Sequence, residues 1–125
     1  MKFSSLSQAA QFRITECEEN YYIEDYWNAA VEIFTKNIDA TIAFFKNDCT
    51  DEELFWLSEI FEKVAKISQS KELISVLRSR LAEVKPEKYN QANFKSKFMQ
   101  KWIGYNDYIK SIGDEIDFAE GQLKE

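Results

Sequence analysis

Histidine is absent from this chain, and that absence excludes more than any other feature of the composition. Without imidazole there is no histidine general base, no serine or cysteine nucleophile activated by one, no mixed Cys/His zinc site and no di-iron bundle built on Glu-x-x-His. Turn formers are scarce as well. Three glycines and one proline in 125 residues leave little from which to build the turns of a sandwich or barrel. Apolar runs end after a few residues, far short of the roughly 20 that cross a bilayer, so no membrane contact is expected. The start, "MKFSSLSQAAQFR", carries a lysine but no apolar core of a signal and no small-residue cleavage site after one. The expected location is therefore the cytoplasm, where Cys17 and Cys49, which could in principle pair, are expected to stay reduced, one or both acting as small core hydrophobes. No glycine-rich phosphate cradle is present, and "DCTDEELFW" lacks the glycine and the ligand spacing of a calcium loop. Neither a cofactor nor a metal is expected.

What remains is a chain rich in large apolar side chains. With 45% hydrophobic and 15% aromatic residues, 125 residues suffice for one domain with a real core. The periodicity is helical throughout. Residues 4 to about 17 allow a first helix with Ser4 as its cap and Leu6, Ala9, Ala10, Ile14 and Cys17 on one side. Trp27, Ala30, Val31, Phe34, Ile38, Ile42 and Phe45 recur at steps of three and four and predict one long helix over 24–47. At "CTDEEL", Thr50 and Glu53 have the spacing of a capping box, so a third helix starts at Asp51, with Leu54, Leu57, Phe61, Val64 and Ile67 on its face. "SQS" breaks it, and Ser70 caps a fourth helix bearing Leu73, Leu77, Leu81 and Val84. Pro86 ends that helix. Phe98, Trp102, Tyr105, Ile109, Ile112, Ile116, Ala119 and Leu123 then form a last stripe, with a kink or break allowed at Gly104. The predicted fold is all-α, a single-domain bundle of five or six helices over residues 1–125. The heptad-like last seam leaves both a monomer and a homodimer through that helix open.

Charge is laid out in blocks. Residues 1–62 hold 13 acids and 4 bases, residues 63–101 hold 10 bases and 3 acids, and residues 102–125 hold 6 acids and 2 bases. A solvated helical surface ordinarily mixes the signs, because alternation supports pairs four residues apart. Segregation points to a charged patch, or to a basic hairpin that lies against the acidic half and neutralises it internally. The densest acidic stretch is "ITECEENYYIEDYW", residues 14–27, with five carboxylates, three tyrosines, a tryptophan and no base. There Glu16, Glu18, Glu19, Glu24 and Asp25 can meet a basic partner, with Tyr21, Tyr22 or Tyr26 as anchors. The same residues also fit a helix junction in which the acids sit in water at a positive dipole end. Asp48, Asp51, Glu52 and Glu53 form a second candidate patch, or plain capping.

Three function classes were weighed on these residues. Adjacent carboxylates point in different directions on a helix and nothing raises the pKa of one of them, so an enzyme is not expected. Nucleic-acid binding by the lysines of 63–101 is opposed by an acidic chain of pI near 4.8, which repels phosphate at long range. Protein binding is left.

A resemblance narrows it. The stretch "DCTDEELFWLSEIFEKVAKISQSKELISVLRSRLAEV" and the closing "IDFAEGQL" resemble the small helical immunity proteins of bacterial contact-dependent growth inhibition and related polymorphic toxin systems. The likeness lies in the acid-start helix, "WLSEI", the "QSKE" turn and the "AEGQL" ending, over roughly residues 48–123. It implies a cytoplasmic, non-enzymatic protein that binds and blocks the C-terminal domain of one cognate toxin. The expected toxin is a nuclease, with a ribonuclease favoured, because a phosphate-binding cleft is positive and attracts an acidic inhibitor. The alternative is a helical adaptor or regulatory subunit of another cytoplasmic protein.

Overall fold

Thr50 sets where the central hairpin begins. Its hydroxyl accepts from the Glu53 amide at 3.1 Å, and the Glu53 carboxylate accepts from the Thr50 amide at 2.9 Å. Two donors that the first turn would leave bare are thereby satisfied, which is the predicted capping box. The structure, a computed structural model, describes residues 1–16 and 23–124. Among the described residues there is no strand, and eight α-helical segments follow one another as α1 (Leu6–Thr15), α2 (Ile23–Lys36), α3 (Ile38–Ala43), α4 (Asp51–Leu57), α5 (Phe61–Ser68), α6 (Lys71–Ala82), α7 (Lys97–Trp102) and α8 (Tyr105–Glu120). A π turn (Phe44–Asp48) prolongs α3, and a 3-10 turn (Ser58–Ile60) joins α4 to α5. The expected all-α bundle is present, with several predicted helices divided.

The divisions at Asn37 and Gly104 have local causes. The first helix is capped by Ser5, not Ser4: the Ser5 hydroxyl accepts from the Gln8 amide at 3.0 Å. The helix expected over 24–47 breaks at Asn37, whose backbone is extended and whose side chain accepts from the Ala40 amide at 3.2 Å. Asn37 thus caps a new helix, and the Phe34 carbonyl freed by the break is taken by the buried Thr41 hydroxyl at 2.7 Å. Gly104 is extended and heads α8, so the last stripe breaks where its glycine allowed. The break turns α7 away from the seam: Phe98 and Trp102, expected inside, are 50% and 68% exposed, whereas Met99 is fully buried. Tyr108, outside the expected stripe, is fully buried in their place. Ile67, expected on a core face, is also exposed.

The core is assembled around α8. Its buried face, Tyr108, Ile112, Ile116 and Ala119, is covered by α5 and α6 of the same chain. The α8 part of the seam for which the sequence left a homodimer open is thus covered within the chain. Phe34, Phe44, Phe45 and Phe61 form a second cluster with ring centroids 5.4–5.7 Å apart, mostly edge to face. Four tyrosines fasten segments to one another by donating to backbone carbonyls: Tyr26 to Ala9 at 2.9 Å, Tyr89 to Ile103 at 2.7 Å, Tyr105 to Val84 at 3.0 Å and Tyr108 to Asp51 at 2.6 Å. The turn after α5 is closed by Gln69 in the left-handed region (φ 54°), a conformation that costs a non-glycine residue about 1 kcal/mol. Its side chain offsets that strain by donating to the carbonyls of Lys66 and Gln122, each at 2.9 Å, and accepting from the Lys124 amide at 2.7 Å.

Candidate functional site

The two acidic patches read from the sequence meet different fates. In the second, Glu52 and Glu53 are buried, 7% and 4% exposed, and spoken for. Glu52 accepts from the amides of Lys95 at 3.0 Å and Ser96 at 2.8 Å, which ties α4 to the head of α7. Glu53 closes the capping box and also accepts from the Gln11 amide nitrogen at 2.7 Å. Asp51 pairs with Arg80 at 2.7 Å, and Arg80 donates at 2.8 Å to the Cys49 carbonyl as well. Only Asp48 of that group stands exposed without a described partner. The patch reading is therefore corrected for Glu52 and Glu53, whose hydrogen bonds lie inside the fold where water competes poorly; Asp51, with a side chain 40% exposed, is engaged by Arg80 at the surface.

In the first patch, Glu18, Glu19, Tyr21 and Tyr22 lie outside the described residues. Glu16, at the end of α1, and Glu24 and Asp25, in the first turn of α2, are exposed. Tyr26 is not an anchor for a partner. It is fully buried, stacked 6.1 Å from Phe12 and bonded to Ala9. Among the described residues of this stretch, Trp27 is the aromatic group that reaches the surface, 36% exposed.

Trp27 and Glu24 form one wall of a groove of about 430 Å³, with Glu59, Ile60, Glu62 and Lys63 opposite them. This acidic groove is the feature that the sequence did not reveal, because it joins α2 to residues more than thirty positions away. Behind Glu62, Glu115 of α8 has its carboxyl pushed up, first by burial and then by the negative charges of Glu62, Asp114 and Glu59. Carboxylates thus stand close enough to Glu115 to oppose its ionisation.

The ion pairs made by the arginines of the basic hairpin are local and fall elsewhere, although Lys63 of the same hairpin lines the acidic groove. Arg78 pairs with Asp117 at 3.0 Å and Glu120 at 2.9 Å, and Arg80 with Asp51. Among the described residues, neither arginine of α6 reaches Glu16, Glu24 or Asp25.

On the other side of Glu59 lies a groove of opposite character, about 610 Å³, lined by Arg13, Trp56, Lys95, Lys97 and Phe98. Arg13 stacks over the Trp56 ring at 4.3 Å and holds Glu59 at 2.6 Å. One ion pair therefore separates a basic, aromatic groove from an acidic one. The Trp56 indole nitrogen is buried without a hydrogen-bond partner, so the ring is kept for its packing and for the guanidinium above it.

Among the described residues no group of acids and cysteine is arranged to hold a metal ion. Cys49 is a free, buried thiol whose pKa is raised chiefly by that burial, the opposite of what a nucleophile needs. No helix is long and apolar enough to cross a membrane among the described residues. No family model, no curated protein and no solved structure matches the chain.

Proposed function

We propose that the chain is a non-enzymatic immunity protein that binds and neutralises a basic toxin domain, a nuclease with ribonuclease favoured, through the acidic end of the molecule. The observation that carries this reading is the exposure of Glu16, Glu24 and Asp25, with Glu24 lining a groove beside Trp27 and Glu62, out of reach of the arginines of α6. A nuclease cleft is positive because it holds phosphates, and exposed carboxylates gathered from the ends of α1 and α2 and from α5 offer it a substitute. Trp27 supplies the large, partly buried ring that dominates interface energy when a partner closes over it. The likeness of residues 48–123 to immunity proteins of contact-dependent systems points the same way.

The test is genetic and then physical. The toxin domain encoded beside this gene is expressed with and without the protein. Rescue of growth is expected, and a toxin that stays lethal removes the reading. Replacing Glu24, Asp25 and Glu62 with lysine should then slow association and weaken the complex by about a hundredfold, since like charges face each other across the interface. Unchanged binding would place the contact on another surface.

A further inference from the structure

The two grooves beside the Arg13–Glu59 pair carry a further implication, in which another occupant competes with the toxin for the acidic groove. One presents Lys97 and Phe98, continued along the outer face of α7 by Lys101 and Trp102, which stand one turn further on. All four are exposed, and among the described residues neither lysine has an acid partner. The other groove presents Glu24, Trp27 and Glu62, with Glu24 and Glu62 exposed; Lys63 also lines it, and its three acids outnumber that single base. Each is thus an aromatic surface edged by charge, and the charges are opposite. Since Arg13 lines the first and Glu59 the second, the pair at 2.6 Å marks the boundary between them.

We infer that a second copy of this chain is the partner for which α7 is built: two copies meet across the Arg13–Glu59 boundary, each laying its basic, aromatic groove on the other's acidic one. A half-turn about an axis through that boundary exchanges the two grooves. The contact is then self-complementary and closes at two copies. It also sets Arg13 and Glu59 of one protomer against the same pair reversed in the other. Phe98, Trp102 and Trp27 lose their remaining exposure and act as the apolar anchors, with lysines and glutamates around them. A nucleic-acid partner fits less well. Lys95, Lys97 and Lys101 are few against the phosphate contacts that hold such complexes, and the chain carries a net charge of −6.

The test uses the whole protein in sedimentation equilibrium at low salt, from micromolar to millimolar concentration. A monomer–dimer equilibrium is expected, weakening as salt is added. Lys97→Glu with Lys101→Glu should weaken it by about a hundredfold or more, as should Glu24→Lys with Glu62→Lys, because each places like charges in both contacts. All four positions are exposed, so the fold is retained, which circular dichroism checks. The decisive sample is the equal mixture of the two variants: a heterodimer should form, since every contact again joins opposite signs. The inference is overturned by a wild-type protein that stays monomeric, by a dimer indifferent to both reversals, by growth beyond two copies, or by nucleic acid that copurifies and is lost with Lys97 and Lys101.

Discussion

Replacing Glu52 with alanine tests whether a carboxylate inside the fold holds the α4 end of the bundle to the segment before α7. In the native protein this side chain accepts two backbone N–H groups, from Lys95 and Ser96, and Ser96 is itself the cap of α7. Bonds to a charged acceptor each contribute about 1.5–3 kcal/mol, and removing the acceptor leaves both donors bare. Lys95 is exposed and Ser96 half-buried, so water recovers part of the loss. The net cost is about 3 kcal/mol. For a domain of this size each kcal/mol lowers the melting temperature by roughly 3–5 °C, so the variant should melt about 10 °C earlier. Glu52→Gln keeps one acceptor oxygen and should lie between. Melting followed by circular dichroism gives the shift, and exchange of the Ser96 amide should quicken more than the exchange of amides in α8. A shift within about 2 °C, on the same scale, would refute the reasoning and mean that the two amides are as well served by solvent.

Other outcomes follow from the same geometry. Thr50→Ala opens the capping box and should cost about 1 kcal/mol in chemical denaturation, with Ser4→Ala changing little beside Ser5→Ala. Glu115 has its carboxyl raised in the fold, so the native state binds its proton more tightly than the unfolded chain does, and stability falls as pH rises from the ordinary carboxylate range through the folded value. Glu115→Gln should therefore be more stable than the parent near neutrality and equal to it in acid; an advantage that persists at low pH would implicate packing instead. Burial pushes the Tyr89 phenol up to about 12 and raises Tyr108 beyond it, so a spectrophotometric titration should leave two tyrosines unionised well above pH 10 until the protein unfolds. Full ionisation of every tyrosine by pH 11, with the helices intact, would contradict their burial.

Sequence and structure agree wherever a local signal was sufficient. Thr50, Ser70 and Gly104 mark real helix ends, because a cap or a break depends on neighbours within a turn. Asn37 carried the same kind of signal, and the unbroken stripe around it concealed it: Ile38, Ile42 and Phe45 keep their period even though the axis changes at Asn37. Phe98 and Trp102 failed as core residues for a related reason. Periodicity reports which residues share a face, not which face meets the bundle, and the backbone at Gly104 redirects α7. For the candidate site, Glu24 and Asp25 were legible as exposed acids at a dipole end. Glu52 was not, since its partners lie more than forty positions away. The grooves either side of Arg13 and Glu59 depend on contacts over a similar separation, and no spacing rule reaches that far.

The left-handed turn at Gln69 bears on how the molecule resists force. Drawn from the far end of α8, the strand of chain at Gln122–Lys124 does not peel away residue by residue, because Gln69 grips it through both ends of its amide. Behind that clasp, Arg78 holds Asp117 and Glu120 from the neighbouring helix. A puller working from this side meets two fastenings in succession, the second within the last turn of α8 itself.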